Sequence, residues 1–205
     1  MIPHYWQTAK QQLAAADPVL GGLIAGYPDQ VLASRGEPFV TLARSIVGQQ
    51  ISVKAADSVW ARFSATVGTV QPEAVLTLGE AGLQGCGLSR RKIEYMVDLA
   101  RHFTAGQLGE ADWPQLDDAA IIARLTDIRG IGRWTAEMFL IFNLLRPDVL
   151  PVDDIGLQKA VWRHYFAGEK QELRQLRSLA ARWAPWRTVA TWYLWHSLDP
   201  VPVAY

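Results

Sequence analysis

The sequence predicts an all-α protein. Apolar residues recur at helical spacing in one segment after another, and no run alternates as a half-buried strand would. Helix-start signals also stand directly ahead of the periodic stretches: Asp17-Pro18, Ser52, Ser89 and Asp117-Asp118.

Each element follows from its own residues. Asp17-Pro18 places a cap and a first-turn proline before Leu20, Leu23 and Ile24. Gly36-Glu37-Pro38 breaks the chain ahead of a helix through Phe39, Leu42, Ala43 and Ile46. Ser52 caps a helix carrying Val53, Ala56, Val59 or Trp60, and Phe63. Ser89 starts a helix with the apolar stripe Ile93, Met96, Val97, Ala100 and Phe103. Its other face holds Arg90, Arg91, Lys92, Glu94 and Asp98, so one side is buried and the other solvated. Asp117-Asp118 precede a short helix with Ile121, Ile122 and Leu125. After Gly130 and Gly132 a strongly apolar helix runs from Trp134 to about Leu145 and stops at Arg146-Pro147-Asp148. Val149 to Asp153 should be extended, because proline constrains itself and the residue before it. Ile155 to Phe166 reads as a helix through Leu157, Val161 and Tyr165. Leu173, Leu176, Ala180 and Trp183 mark the next, and Pro185 separates it from a last helix through Val189, Trp192 and Trp195.

Composition narrows the class. A chain of 205 residues forms one large domain or two small lobes sharing a core. No stretch approaches the ~20 apolar residues of a spanning helix. The start MIPHYWQTAK lacks the basic-then-apolar order of a secretory signal, so a cytoplasmic protein is expected, nucleoid-associated if bacterial. The single cysteine, Cys86, excludes an internal disulfide framework and any four-cysteine iron–sulfur or zinc site. Twenty basic and twenty acidic residues cancel, whereas nucleic-acid binders are more often basic. The charge is uneven, however. Between positions 159 and 187 seven basic residues (Lys159, Arg163, Lys170, Arg174, Arg177, Arg182, Arg187) face only Glu169 and Glu172. Nine tryptophans serve core packing for the most part, or an aromatic pocket for a flat or cationic ligand.

The segment Leu125-Thr-Asp-Ile-Arg-Gly-Ile-Gly-Arg-Trp-Thr-Ala136 carries the first chemical signal. A helix end meets a turn with glycines two apart, and a new helix begins at once. Glycine admits positive φ and the close approach of another backbone. The exposed N–H groups of Gly130, Gly132 and the following turn make a concave anion site, flanked by Arg129 and Arg133 and suited to one backbone phosphate. The same residues also serve as a plain helix C-cap and tight turn. Leu150-Pro-Val-Asp-Asp-Ile-Gly-Leu157 follows one helix later, with two acids at a helix start. Either Asp153 or Asp154 is suited to be an ordinary N-cap.

Taken in order, Ile128-x-Gly-Ile-Gly-x-Trp-Thr-Ala136, an apolar helix, and Pro151-Val-Asp-Asp-x-Gly-Leu157 resemble the helix-hairpin-helix DNA glycosylases. The variant with Trp134 and Asp154-Ile-Gly-Leu157 is similar to the 3-methyladenine DNA glycosylase II family. Asp17-Pro-x-Leu20, Ile46-Val-Gly-Gln-Gln-Ile-Ser52, Gly87-Leu-Ser-x-x-Lys92 and Trp183-Ala-Pro-Trp-Arg187 agree, so the resemblance covers about residues 15 to 198. It implies two helical lobes with an active-site cleft between them: a central lobe over about 40–125, the hairpin at 125–136, and a second lobe from the N-terminal segment plus about 137–205.

The resemblance also implies roles. The family aspartate opens an Asp-x-[His/Gly]-aliphatic pattern, which selects Asp154 over Asp153. Beside the C1′ of a flipped nucleotide, a carboxylate stabilises the oxocarbenium-like sugar left by the departing base and orients water. An N3- or N7-alkylated purine is already cationic and leaves without a strong general acid. Trp134 and Trp195 should line the base pocket, with Met138 and Ile155 where many relatives have tyrosines. Gln50 falls at the wedge position, and Thr135 joins the hairpin contacts to DNA. Bifunctional members carry a Schiff-base lysine where this chain has Trp134, so reaction should stop at an abasic site. The iron–sulfur loop of the endonuclease III branch is missing, and no cofactor is expected to be required. The family hairpin often holds a monovalent cation on backbone carbonyls, here those of Thr126, Ile128 and Gly130. The expected partner is duplex DNA containing alkylated bases of the 3-methyladenine or 7-methylguanine type, with no membrane, and the expected state is a monomer. Two other readings stay open on sequence: a glycosylase for uracil or a deaminated purine, and a non-catalytic DNA-gripping module.

Overall fold

The computed structural model describes residues 2–106 and 113–198, and among these every regular element is helical. The packing separates two compact units, one within Met1–Ser34 and Leu140–Val203, the other within Arg35–Phe139.

The first unit contains α1 (Trp6–Ala16), α2 (Pro18–Gly26), α9 (Ile155–Tyr165), α10 (Leu173–Ala180) and α11 (Arg187–His196). Helix α2 starts as the sequence indicates, with Asp17 accepting the Val19 and Leu20 N–H groups. That carboxylate is buried, and its second oxygen accepts the Tyr165 hydroxyl at 2.9 Å and the Trp183 indole N–H at 3.1 Å. A charge withdrawn from water is tolerable when donors surround it. Burial, with the Asp17 charge beside it, drives the Tyr165 pKa well above the ordinary phenol value. The core around this hub is aromatic. Trp6 stacks on Tyr193 and meets Trp192 edge-on, and Trp6 and Trp183 are fully buried.

The second unit contains α3 (Pro38–Gly48), α4 (Val53–Val67), α5 (Pro72–Gly82), α6 (Arg90–Thr104) and α7 (Asp118–Thr126). The stripe Phe39, Leu42, Ala43, Ile46 and Val47 of α3 is buried, as are Ile93, Met96, Val97, Leu99 and Ala100 of α6. Ser52, Ser89 and Asp117 each accept a first-turn N–H and so act as the caps the sequence suggests. Helix α8 (Arg133–Phe142) begins in this unit and ends in the other.

Three local details differ from the sequence expectations. Helices α1 and α5 have no counterpart among the expected elements. Helix α1 has no side-chain cap and buries only Trp6, Ala9 and Leu13, while α5 is interrupted by Gly79 at φ 58°. Helix α8 stops at Phe142, not near Leu145, because Leu145 turns to φ 53° and the Arg146 N–H closes back on the Leu140 carbonyl at 2.9 Å. The segment before Asp154 is not extended. Val152 N–H bonds to Leu150 O and Asp154 N–H to Pro151 O, both at 2.9 Å, so the chain folds through consecutive tight turns. The φ that proline fixes suits such turns as well as it suits extended chain.

No helix among the described residues is long and apolar enough to cross a membrane.

Candidate active site and nucleic-acid interface

In the first unit, the chain leading to Asp154 is fastened to the start of α11. Arg187 grips Asp148 with Nε and Nη2, each at 2.7 Å, and its backbone N–H adds a third contact to Oδ1 at 3.2 Å. The Thr188 hydroxyl donates to Arg146 O at 2.6 Å and accepts the Val149 N–H at 3.0 Å, while the Thr188 N–H bonds to Pro147 O. Two helical turns further on, the same helix presents Trp195, whose Nε1 donates to Asp154 Oδ1 at 2.8 Å. One helix therefore anchors both the approach to the carboxylate and the carboxylate itself.

Asp154 is also the N-cap of α9. Its Oδ1 accepts the Leu157 N–H at 2.7 Å, and the positive end of the helix supports the charge. The capping role that sequence allowed either acid thus falls to Asp154, while Asp153 is exposed. Ile155, the next residue, is 64 % exposed, unusual for a large aliphatic side chain. Trp195 stacks in near-parallel fashion on Phe142, with ring centroids 5.8 Å apart. A Cβ on Gly156 would lie 3.0 Å from Asp154 Oδ1 and 3.3 Å from Trp195 Cδ1, so a side chain there would disturb both. The result is a carboxylate of fixed orientation, next to an aromatic ring and an exposed aliphatic.

In the second unit, the hairpin between α7 and α8 is a pair of tight turns. Ile128 N–H bonds to Leu125 O and Ile131 N–H to Ile128 O, with Leu125, Ile128 and Ile131 buried below. Only one of the two glycines has positive φ: Gly130, at 86°. A Cβ there would run into the Tyr95 ring, whereas nothing lies within 4 Å of a Cβ placed on Gly132. The Gly132 N–H and the N–H groups of the first turn of α8 stand at a helix start, where the helix itself supplies no acceptor, a position that favours an anion. The Arg129 N–H does not join them, because Asp98 Oδ2 accepts it at 2.9 Å. The Arg129 side chain is half-exposed and lies 3.7 Å from Asp98 and 4.0 Å from Glu94, so its charge is partly offset. Arg133 is 65 % exposed in its side chain and is held through Nε by the buried Glu137 at 2.9 Å.

Trp134 and Thr135 line a cavity of about 410 Å³ together with Arg44, Ser45, Gln49 and Gln50. Met138 is buried one turn beyond Trp134, and Thr135 is buried as well. Gln50 is exposed in the turn between α3 and α4, at φ 60°, a left-handed value few side chains adopt. Of the three carbonyls expected for a cation, that of Ile128 accepts the Ile131 N–H and that of Gly130 accepts the Gln49 side-chain amide at 2.8 Å. The Thr126 hydroxyl bonds within its own helix.

Reading the sequence left several contributors unassigned. Phe142 beneath Trp195, Gly156 beside the carboxylate, Asp98 on the hairpin N–H, and Gln49 and Lys92 near the Gln50 turn carried no separate role. Gln49, Lys92 and Gly156 did stand within the family-like motifs, the one available signal.

Comparison with known proteins identifies the family of the chain. Residues 43–185 match the family model described as HhH-GPD superfamily base excision DNA repair protein. DNA-3-methyladenine glycosylase 1 of Schizosaccharomyces pombe is 33 % identical over 178 residues, covering 84 % of this chain and 78 % of that protein. The DNA-3-methyladenine glycosidase of Bacillus halodurans superposes with a TM-score of 0.85 at 36 % identity, over 93 % of this chain and 89 % of the other. The S. pombe 3-methyladenine DNA glycosylase in complex with abasic DNA superposes with a TM-score of 0.79 at 29 % identity, over 97 % and 100 %.

Proposed function

The chain belongs to the HhH-GPD superfamily of base excision DNA repair proteins, and on that premise we propose that it is a DNA glycosylase that excises alkylated bases from duplex DNA, with Asp154 as its catalytic residue. The observation that carries the reading is the fixed carboxylate: Asp154 Oδ1 is held by the Leu157 N–H and the Trp195 indole.

The chemistry follows from what such a carboxylate does. Flipping the damaged nucleotide costs a few kcal/mol, less when damage weakens pairing. Once the base is out, the bond from C1′ to the base nitrogen breaks and its electron pair leaves with the base. Positive charge then develops on the sugar, and Asp154 stabilises it without being reoriented at that moment. Water adds to C1′ and gives up a proton to the Asp154 carboxylate, which passes it to solvent, and this completes the abasic product. A base methylated at N3 or N7 already carries positive charge, so its departure needs no strong acid. The aromatic face of Trp195 and the aliphatic surface of Ile155 suit a flat cationic base next to the carboxylate. Trp134, which borders the cavity beside Gln50, and the buried Met138 are further residues we assign to the base pocket.

DNA is gripped by the hairpin. The Gly132 N–H and the start of α8 take a backbone phosphate, and Arg129 and Arg133 add charge, each partly offset by a neighbouring carboxylate. Thr135 is buried, so its contribution comes from shaping the hairpin. Gln50 enters the space the flipped nucleotide leaves. Trp134 stands where a strand-nicking relative needs a lysine amine, so the product is an intact strand with an abasic site.

The deciding experiment is single-turnover base release from duplexes carrying 3-methyladenine, 7-methylguanine or uracil, by wild type and Asp154→Asn. Asparagine ranks with aspartate as an N-cap, so the variant keeps α9 and removes only the charge. Methylated-purine release by wild type, a rate loss of about 100-fold or more in Asp154→Asn, and retained DNA binding support the reading. Uracil as the preferred substrate reassigns the lesion. No release of any base would identify a DNA-gripping module.

A further inference from the structure

The turn that exposes Gln50 is tied to two other segments of its own unit by two side chains. Helix α3 ends at Gly48, and Gln49 and Gln50 make the corner before the Ser52 cap of α4. From the first turn of α6, Lys92 Nζ donates to Val47 O and to Gln49 O, both at 2.8 Å. These carbonyls lie at the negative end of α3, where an ammonium is a natural cap. The Gln49 carbonyl belongs to the peptide that sets φ of Gln50, so Lys92 fixes the plane from which the left-handed residue departs. Burial of Lys92 lowers its pKa from the ordinary lysine value, because desolvation disfavours the ammonium.

Gln49 makes the second tie. Its Nε2 donates to the Gly130 carbonyl at 2.8 Å, joining the Gln50 corner to the hairpin. Among the described residues no backbone–backbone hydrogen bond links this corner to the hairpin or to the start of α6. The place of Gln50 relative to the hairpin therefore depends on side chains, and these two supply direct hydrogen bonds.

We propose that Gln49 and Lys92 are positioning residues that hold Gln50 at a set distance from the Gly130 hairpin, so that the phosphate grip and the side chain entering the duplex act in register. This rests on the reading of Gln50 and the hairpin given above. A wedge displaced by an ångström fails to occupy the vacated space while the carboxylate chemistry stays intact. The loss should thus appear where flipping is costly and vanish where it is not.

The test compares single-turnover release of 7-methylguanine from a fully paired duplex and from a duplex in which the same lesion lies unpaired in a bulge. Gln49→Ala and Lys92→Met should slow release from the paired duplex by about tenfold and change release from the bulge by less than about twofold. Lys92→Arg keeps the charge and should restore most of the paired rate. Gln50→Ala is the control and should show the same selectivity. 2-Aminopurine placed beside the lesion should show a matching loss of the flipped population. If Gln50→Ala is selective but Gln49→Ala and Lys92→Met slow both substrates equally, or neither, the positioning role is wrong and the wedge reading stands. If Gln50→Ala is itself unselective, the wedge reading falls and takes the inference with it. Should Lys92→Met not fold, Gln49→Ala and Lys92→Arg decide between the same outcomes.

Discussion

The indole N–H of Trp195 donates to Oδ1 of Asp154 at 2.8 Å across 41 positions of sequence. Trp195→Phe keeps the ring on Phe142 and deletes the donor. A hydrogen bond to a charged group is worth about 1.5–3 kcal/mol, so if this one steadies the carboxylate in the transition state, excision slows by roughly 10- to 100-fold. Single-turnover rates beside DNA affinity check this, and affinity should be unchanged. An unaltered rate would mean that the acid is oriented without the indole, by contacts that include the Leu157 N–H.

Gly156 leaves room where Asp154 and Trp195 meet. Gly156→Val should retain a helical spectrum while lowering excision at least about tenfold, because even its Cβ presses on the oxygen and the indole together. Valine is a weak helix former, but a first-turn position limits that cost. A valine variant with wild-type rates would show that the indole can shift without consequence.

Asp17 is a structural centre with no expected part in the chemistry. Asp17→Ala removes the α2 cap and strips acceptors from the Tyr165 hydroxyl and the Trp183 indole. Together these should cost about 3 kcal/mol or more in urea unfolding, while excision per folded molecule stays normal. A selective loss of activity with full stability would contradict this division of labour.

His164 gives a pH signature. The Ser197 hydroxyl donates to Leu194 O, so it accepts from His164 Nε2–H at 2.8 Å. Burial, with Arg163 nearby, lowers its pKa from 6.5. The unfolded chain then binds more protons than the native one between that lowered value and 6.5, so stability falls as pH drops through this window and is restored above it. Urea midpoints from pH 7.5 to 5 should fall more steeply in wild type than in His164→Asn. Parallel slopes would show that other groups carry the acid sensitivity.

Elements announced by local chemistry were legible in the sequence, and elements sustained only by packing were not. Asp17, Ser52, Ser89 and Asp117 bond first-turn N–H groups a few residues away, so the signal and its effect share one window. Helix α1 has no such cap, and alanine supplies part of its buried stripe, so only its neighbours reveal it. At the site, the sequence named Asp154 and Trp195 separately, each from its own block. That the two bond, that Gly156 makes room for the bond, and that Asp98 takes the Arg129 N–H are relations across the fold, and no spacing rule encodes them. The turns before Asp154 were read as extended because proline restricts φ without choosing which of its compatible neighbours follows.

The first unit is assembled from two stretches of chain with the whole of Arg35–Phe139 between them. Tyr193, on which Trp6 stacks, and the hydroxyl and indole that satisfy Asp17 all lie beyond residue 160. During synthesis the second unit is therefore complete in sequence while the opening helices still lack their core. A ribosome that stalls after residue 140 leaves Trp6, Leu13 and Leu20 exposed, a state that invites chaperone binding or aggregation. The enclosure of Asp17 thus has a temporal side: it cannot close until the last third of the chain has been made.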